Sequence, residues 1–130
     1  MEKTHGKVWW SELMTRDVDA AIAYYKDTCG WTVDAMPMGD GTTYWVCSND
    51  GAPTAGIMDM AGLPGTKDMP PHWFTYLAVD DVEAATEATV AAGGQVIRPP
   101  FEVPNTGLIA LVTDPTGAAV GLMTPAPHTN

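Results

Sequence analysis

Trp9-Trp10-Ser11-Glu12-Leu13 returns 64 residues later as Trp73-Phe74-Thr75-Tyr76-Leu77. At the same offset Asp17-Val18-Asp19-Ala20-Ala21 returns as Asp81-Val82-Glu83-Ala84-Ala85, and Gly30 returns as Gly94. Gly56-Ile57-Met58 returns as Gly121-Leu122-Met123, one inserted residue later. Matches in the same order at both ends of each half identify an internal repeat. The sequence therefore reads as two copies of one unit.

Each copy has the same sequence of elements. Residues 7–14, rich in aromatic and branched side chains, predict a strand. Residues 17–28 predict a helix, with Val18, Ala21, Ile22 and Tyr25 forming one apolar stripe. Thr15 or Asp17 can cap it, and Gly30 stops it. Strands near 31–37, 42–48 and 54–60 follow, separated by Gly39-Asp40-Gly41 and Asn49-Asp50-Gly51. The second copy predicts a strand at 72–79, then a helix at 81–92 ending at Gly93-Gly94. Its helix stripe is Val82, Ala85, Thr86 and Thr89. Strands near 95–102, 107–113 and 118–124 follow, with Asn105-Thr106-Gly107 and Asp114-Pro115-Thr116-Gly117 between them. The expected organisation is one domain over 1–130. Module 1 covers about 7–60, a Pro- and Gly-rich linker 61–71, module 2 about 72–124, and a tail 125–130.

Composition narrows the partners. The 130 residues carry 6 Lys and Arg against 16 Asp and Glu, a formal charge of −10. The six cations are scattered, so no nucleic-acid or membrane-surface partner is expected. No apolar run approaches the ~20 residues of a membrane span, and Met1–Gly6 has no apolar signal region. A soluble, cytoplasmic protein is the expectation. Cys29 and Cys47 form no CxxC pair and are expected as free thiols, with Cys29 as buried filler. No GxSxG, P-loop, dinucleotide fingerprint or HExxH is present.

A four-stranded sheet with one helix covers only one of its faces, so the other needs a partner, which a second copy can supply. The expected fold is α+β, with two tandem βαβββ modules forming a curved, partly open eight-stranded barrel-like sheet. The βαβββ pair, the opening Trp9-Trp10-Ser11-Glu12-Leu13 with Asp17, the segment Ala20–Trp31 and the closing Asp114-Pro115-Thr116-Gly117-Ala118 carry a further signal. Together they resemble the vicinal oxygen chelate superfamily, which contains glyoxalase I, extradiol dioxygenases and bleomycin-resistance proteins. The resemblance covers roughly 7–124. That superfamily hosts many chemistries, and some members only bind, so the resemblance bears on fold more than on reaction.

Metal-dependent members of the family take one ligand from the first and one from the last strand of each module. Carried over residue by residue, these positions are Trp10, Gly56, Phe74 and Gly121. None of these side chains offers a lone pair to a cation. No metal and no other cofactor is therefore expected. A divalent ion recruited by Glu12 and His72 would have fewer than the three protein ligands typical of a catalytic site.

Trp10, Phe74 and Tyr76 are expected to face a cleft, with Gly56 and Gly121 leaving room and Met58 and Met123 two residues on. Aromatic faces and thioethers suit a flat or apolar ligand. The expected ligand-binding set is thus Trp10, Glu12, Gly56, Met58, His72, Phe74, Tyr76, Gly121 and Met123. The expected function is small-molecule binding by a glyoxalase- or bleomycin-resistance-like protein, with a homodimer expected from the resemblance. The alternative is a lyase, isomerase or dioxygenase-type enzyme of the same superfamily, with Glu12 as general base and Tyr76 as hydrogen-bond donor. Whether Tyr44 and Trp45 join the cleft depends on strand parity, which the sequence leaves open.

Overall fold

The computed structural model describes residues 4–39, 41–61, 67–103 and 106–125. The architecture is α+β. In chain order the elements are β1 (Val8–Thr15), α1 (Val18–Cys29), β2 (Thr32–Pro37), β3 (Thr43–Asn49) and β4 (Ala52–Asp59). Then come β5 (His72–Ala78), α2 (Val82–Ala91), β6 (Gln95–Val103), β7 (Gly107–Thr113) and β8 (Ala119–Pro125). This is βαβββ twice, with every boundary within two residues of that expected. Residues 62–66 of the linker, Asp40 and Asn105 of the turns, Met1–Lys3 and the tail 126–130 with His128 lie outside the described residues. Pro125 pairs with Gly107, so β8 takes in the first residue of the expected tail. Among the described residues no helix is long and apolar enough to cross a membrane.

The backbone groups into two compact units. One is residues 10–74; the other joins residues up to Trp9 with those from Thr75 onward. In the first unit the strand order is β2-β3-β4-β1. β2, β3 and β4 are antiparallel neighbours, whereas β1 runs parallel to β4. Helix α1 supplies the crossover direction that such a parallel pair requires. The Asp17 carboxylate accepts the Ala20 N–H at 3.0 Å and opens the helix. Gly30 closes it at φ 71°, a left-handed conformation that favours glycine.

The helix stripe packs as its spacing predicts. Ala21, Ile22 and Tyr25 lie against a core that includes Val18, Leu13, Cys47, Ala55 and Ile57. Leu13, Ile57 and Trp45 share one row across β1, β4 and β3. Trp45 packs against this core, so the row faces the helix. Side chains alternate along a strand. The intervening residues Glu12, Gly56 and Val46, and the next row Met14, Met58 and Tyr44, therefore project from the face opposite the helix. This settles the parity question: Trp45 belongs to the core, Tyr44 to the other face.

A second aromatic group closes the helix side. Tyr25 stacks on Trp31 at 5.3 Å between ring centroids, and Trp73 meets Tyr25 edge-on at 5.5 Å. The Trp73 indole N–H also donates to the Tyr25 hydroxyl at 3.1 Å. Cys47 is buried, and desolvation pushes its thiol above the ordinary value. Cys29 is exposed, contrary to its expected burial; it is the last residue of α1, directly before the Gly30 cap. Both thiols are free.

The other unit has the order β5-β8-β7-β6. Asp81 caps α2 by accepting the Ala84 N–H at 3.2 Å. Val82, Ala110, Val112 and Leu122 are buried. Gly6 and Lys7 bond to Ala78 through the backbone, which ties the N-terminal residues to this unit. The turn before β8 is built on Asp114. Its carboxylate accepts from the Thr116 N–H at 2.8 Å, the Thr116 hydroxyl at 2.6 Å and the Ala118 N–H at 3.1 Å. These bonds, the Thr116 hydroxyl foremost, hold the Asp114 carboxyl below its ordinary value.

Candidate functional site

The first unit places Trp10, Glu12, Gly56 and Met58 on the face opposite α1. Glu12 is the registered neighbour of Gly56, which in turn faces Val46. The next row is Met14, Met58 and Tyr44. Trp10 stands two residues before Glu12 on β1, on the same side of the strand. His72 and Phe74, at the start of β5, belong to this unit as well. Trp10, Met14, Tyr44, Met58 and Phe74 are all half-buried, so each keeps some accessible surface. Glu12 is 8% exposed and engaged in polar contact.

The space above Gly56 is taken by Tyr44. A Cβ built on Gly56 would run into the Tyr44 hydroxyl and ring. The Trp10 indole N–H donates to that hydroxyl at 2.8 Å and fixes where the phenol ends. The room expected above this glycine is therefore filled from β3, the strand whose parity the sequence left open. His72 is half-buried, and its Nδ1 lies 2.8 Å from the Pro70 carbonyl. A carbonyl only accepts, so Nδ1 carries the proton.

The second unit repeats the device with different parts. Tyr76 is the registered neighbour of Gly121, and its ring covers the position a Gly121 Cβ would occupy. Met123 follows at 3% exposure, opposite Ile109. Tyr76 comes from β5 and Tyr44 from β3, so the two tyrosines are not equivalents in the repeat. On β6 the Arg98 guanidinium sits 3.6 Å from the Phe101 ring centroid, a pairing that sequence reasoning missed.

The family's metal does not fit these residues. The Trp10 indole is a donor only, Phe74 has no donor atom, and Gly56 and Gly121 lie under tyrosine rings. Among the described residues no group of three or more His, Cys, Asp or Glu side chains gathers to hold an ion. What the first unit presents is an aromatic and thioether surface around one buried carboxylate.

Known proteins similar to this chain point to one family. CFP32 of Mycobacterium bovis, named as a candidate glyoxylase, is 42% identical over 123 residues, covering 93% of this chain and 46% of CFP32. The anthracycline biosynthesis protein DnrV of Streptomyces peucetius is 32% identical over 120 residues, covering 85% of this chain and 44% of DnrV. The chain thus spans about half the length of these curated relatives. Among solved structures, methylmalonyl-CoA epimerase from Mycobacterium tuberculosis superposes with a TM-score of 0.65 at 19% identity. That match covers 98% of this chain and 94% of the epimerase, a likeness of fold. The family profile that describes the Glyoxalase/Bleomycin resistance protein/Dioxygenase superfamily matches residues 8–122, and the chain belongs to that superfamily.

Proposed function

We propose that this chain binds a small aromatic or apolar molecule on the face of its first unit opposite α1, without a metal ion. One observation carries the reading: the Tyr44 phenol, held by Trp10, lies where a metal-dependent relative would extend a ligand from the Gly56 position. The surrounding Trp10, Met14 and Met58 offer a ring face and adaptable thioethers. DnrV is named for biosynthesis of anthracyclines, and a ligand with fused rings is consistent with such a surface. The protein is incubated with Zn²⁺, Mn²⁺ and Ni²⁺, desalted and assayed by elemental analysis, then titrated with 1-indanone. Substoichiometric metal and saturable 1-indanone binding are expected. One equivalent of retained metal overturns the metal-free reading, and no binding of 1-indanone counts against the ligand class.

A second reading draws on Glu12, a carboxylate 8% exposed beside Gly56. As a general base it would take a proton from the carbon next to a ligand carbonyl and return it, an isomerase or lyase half-reaction. Tyr44 carries a hydroxyl on the same face of this unit. Deuterium uptake at C2 of 1-indanone in D₂O, followed by NMR, separates the two readings. Uptake accelerated by the wild-type protein and abolished in Glu12→Gln supports catalysis. Uptake at the buffer rate with both proteins leaves binding alone.

A further inference from the structure

We infer that the ligand of this face is a fused body of three or more rings, lying across the strands along a row of methionines that ends at Met36. The inference rests on the binding reading above and adds the ligand's length and direction to it. Met36 on β2 is the registered partner of Tyr44 on β3, Tyr44 of Met58 on β4, and Met58 of Met14 on β1. Val33 packs against the core under α1, so Met36, three residues on, faces the other way with the rest of the row. Neighbouring strands stand ~4.8 Å apart, so four side chains in register make a track about 14 Å long. Three of the four are thioethers, which adapt their shape to an apolar ring.

The neighbouring row fixes the direction. It runs Asp34, Val46, Gly56 and Glu12, with a carboxylate at each end. An apolar body laid along its full length would desolvate both carboxylates, at a cost no ring contact offsets. The methionine row carries no charged side chain from β2 to β1. Exposure rises along it toward one end. Met14, Met58 and Tyr44 are half-buried, whereas Met36 is 49% exposed on β2, the outermost strand of this unit. A two-ring ligand finds its buried contacts at Met14 and Met58 and covers about half of the track. A third fused ring carries the ligand toward Met36 and covers that thioether.

The test compares 1-indanone with 9-fluorenone, which carries the same ketone on a skeleton longer by one fused benzene ring. Both are titrated into ¹⁵N-labelled protein while the indole signals of the five tryptophans are followed. The Trp10 signal is identified as the one displaced in Tyr44→Phe, where its indole N–H loses the hydroxyl it donates to. The wild type is expected to bind 9-fluorenone about tenfold tighter than 1-indanone, from the apolar area of the added ring. Met36→Ala is expected to weaken 9-fluorenone about fivefold and to leave 1-indanone within about 1.5-fold of wild type. Met36→Leu, which keeps the apolar bulk, is expected to hold both affinities within about twofold. Unchanged 9-fluorenone affinity in Met36→Ala overturns the inference, as does equal weakening of the two ketones or equal wild-type affinity for them. In each of those cases 1-indanone still binds, and the binding reading survives. Binding of neither ketone overturns both. Should Met36→Ala fail to fold, Met36→Gln, with a polar side chain of similar length, is expected to weaken 9-fluorenone at least threefold. An unaltered affinity there overturns the inference equally.

Discussion

Gly121→Ala is expected to destabilise the chain by about 2–3 kcal/mol, and Gly56→Ala by about 1–2 kcal/mol, read from urea midpoints at unchanged m-value. The sign itself is diagnostic. Alanine in place of glycine inside a strand ordinarily stabilises by roughly 0.5–1 kcal/mol, because the unfolded chain has less freedom to lose. Here the added methyl has nowhere to go. At Gly121 it meets Tyr76 along the side of its ring, close to Cγ, at a part of the side chain that cannot move far without moving β5. At Gly56 it meets the far end of Tyr44, the hydroxyl and the ring carbons beside it. That end can swing aside, which costs the Trp10 bond but spares the strand. Hence the order of the two effects.

Pairing each glycine substitution with removal of its own tyrosine tests the cause. Gly56→Ala with Tyr44→Ala, and Gly121→Ala with Tyr76→Ala, are expected to show coupling of about 1–2 kcal/mol in the compensating direction. The crossed pairs, Gly56→Ala with Tyr76→Ala for example, are expected to be additive within about 0.5 kcal/mol. Gly56→Ala is also expected to shift the Trp10 indole signal toward its position in Tyr44→Phe. Stability equal to or above wild type in both glycine variants would mean that the tyrosines do not occupy these positions.

Much of this was legible in the sequence, for definite reasons. The repeat gave two copies of every element. Strong local signals then set the boundaries: Asp17 and Asp81 at helix starts, Gly30 at a helix end, Asp114-Pro115-Thr116-Gly117 before the last strand. The aligned positions Trp10, Gly56, Phe74 and Gly121 could be read from the same repeat. Tyr44 could not. Whether a residue faces the helix or its opposite depends on strand register, and β3 carries Tyr44 and Trp45 side by side, two aromatics equally able to fill a core. Only pairing with Ile57 on one row and Met58 on the next assigns them. The glycines misled for a related reason. A missing side chain signals missing volume at its own position, but the sequence does not say which neighbour leans in, and in the two modules the neighbour lies on opposite sides of the glycine strand.

The same alternation yields the sharpest contrast between stability and binding. Ile57 and Met58 are consecutive on β4 and face opposite ways. Ile57 is 0% exposed in the core under α1. Ile57→Ala is expected to cost about 3–4 kcal/mol, since it removes three buried carbons and leaves a cavity among Leu13, Val18 and Ala55 that rigid strands cannot close. In the fraction still folded, 1-indanone affinity is expected to stay within about twofold of wild type, because the lost atoms lie on the other side of the sheet. Met58 is half-buried beside Tyr44 and Met14. Met58→Ala is expected to cost only about 1 kcal/mol of stability, because its partly exposed side chain loses less burial. It should weaken 1-indanone binding about five- to tenfold through lost thioether contact. Urea unfolding and NMR titration of the two variants measure both quantities. A large stability loss in Met58→Ala with binding intact, and the reverse in Ile57→Ala, would put the ligand under the helix and place the binding face on the wrong side of the sheet.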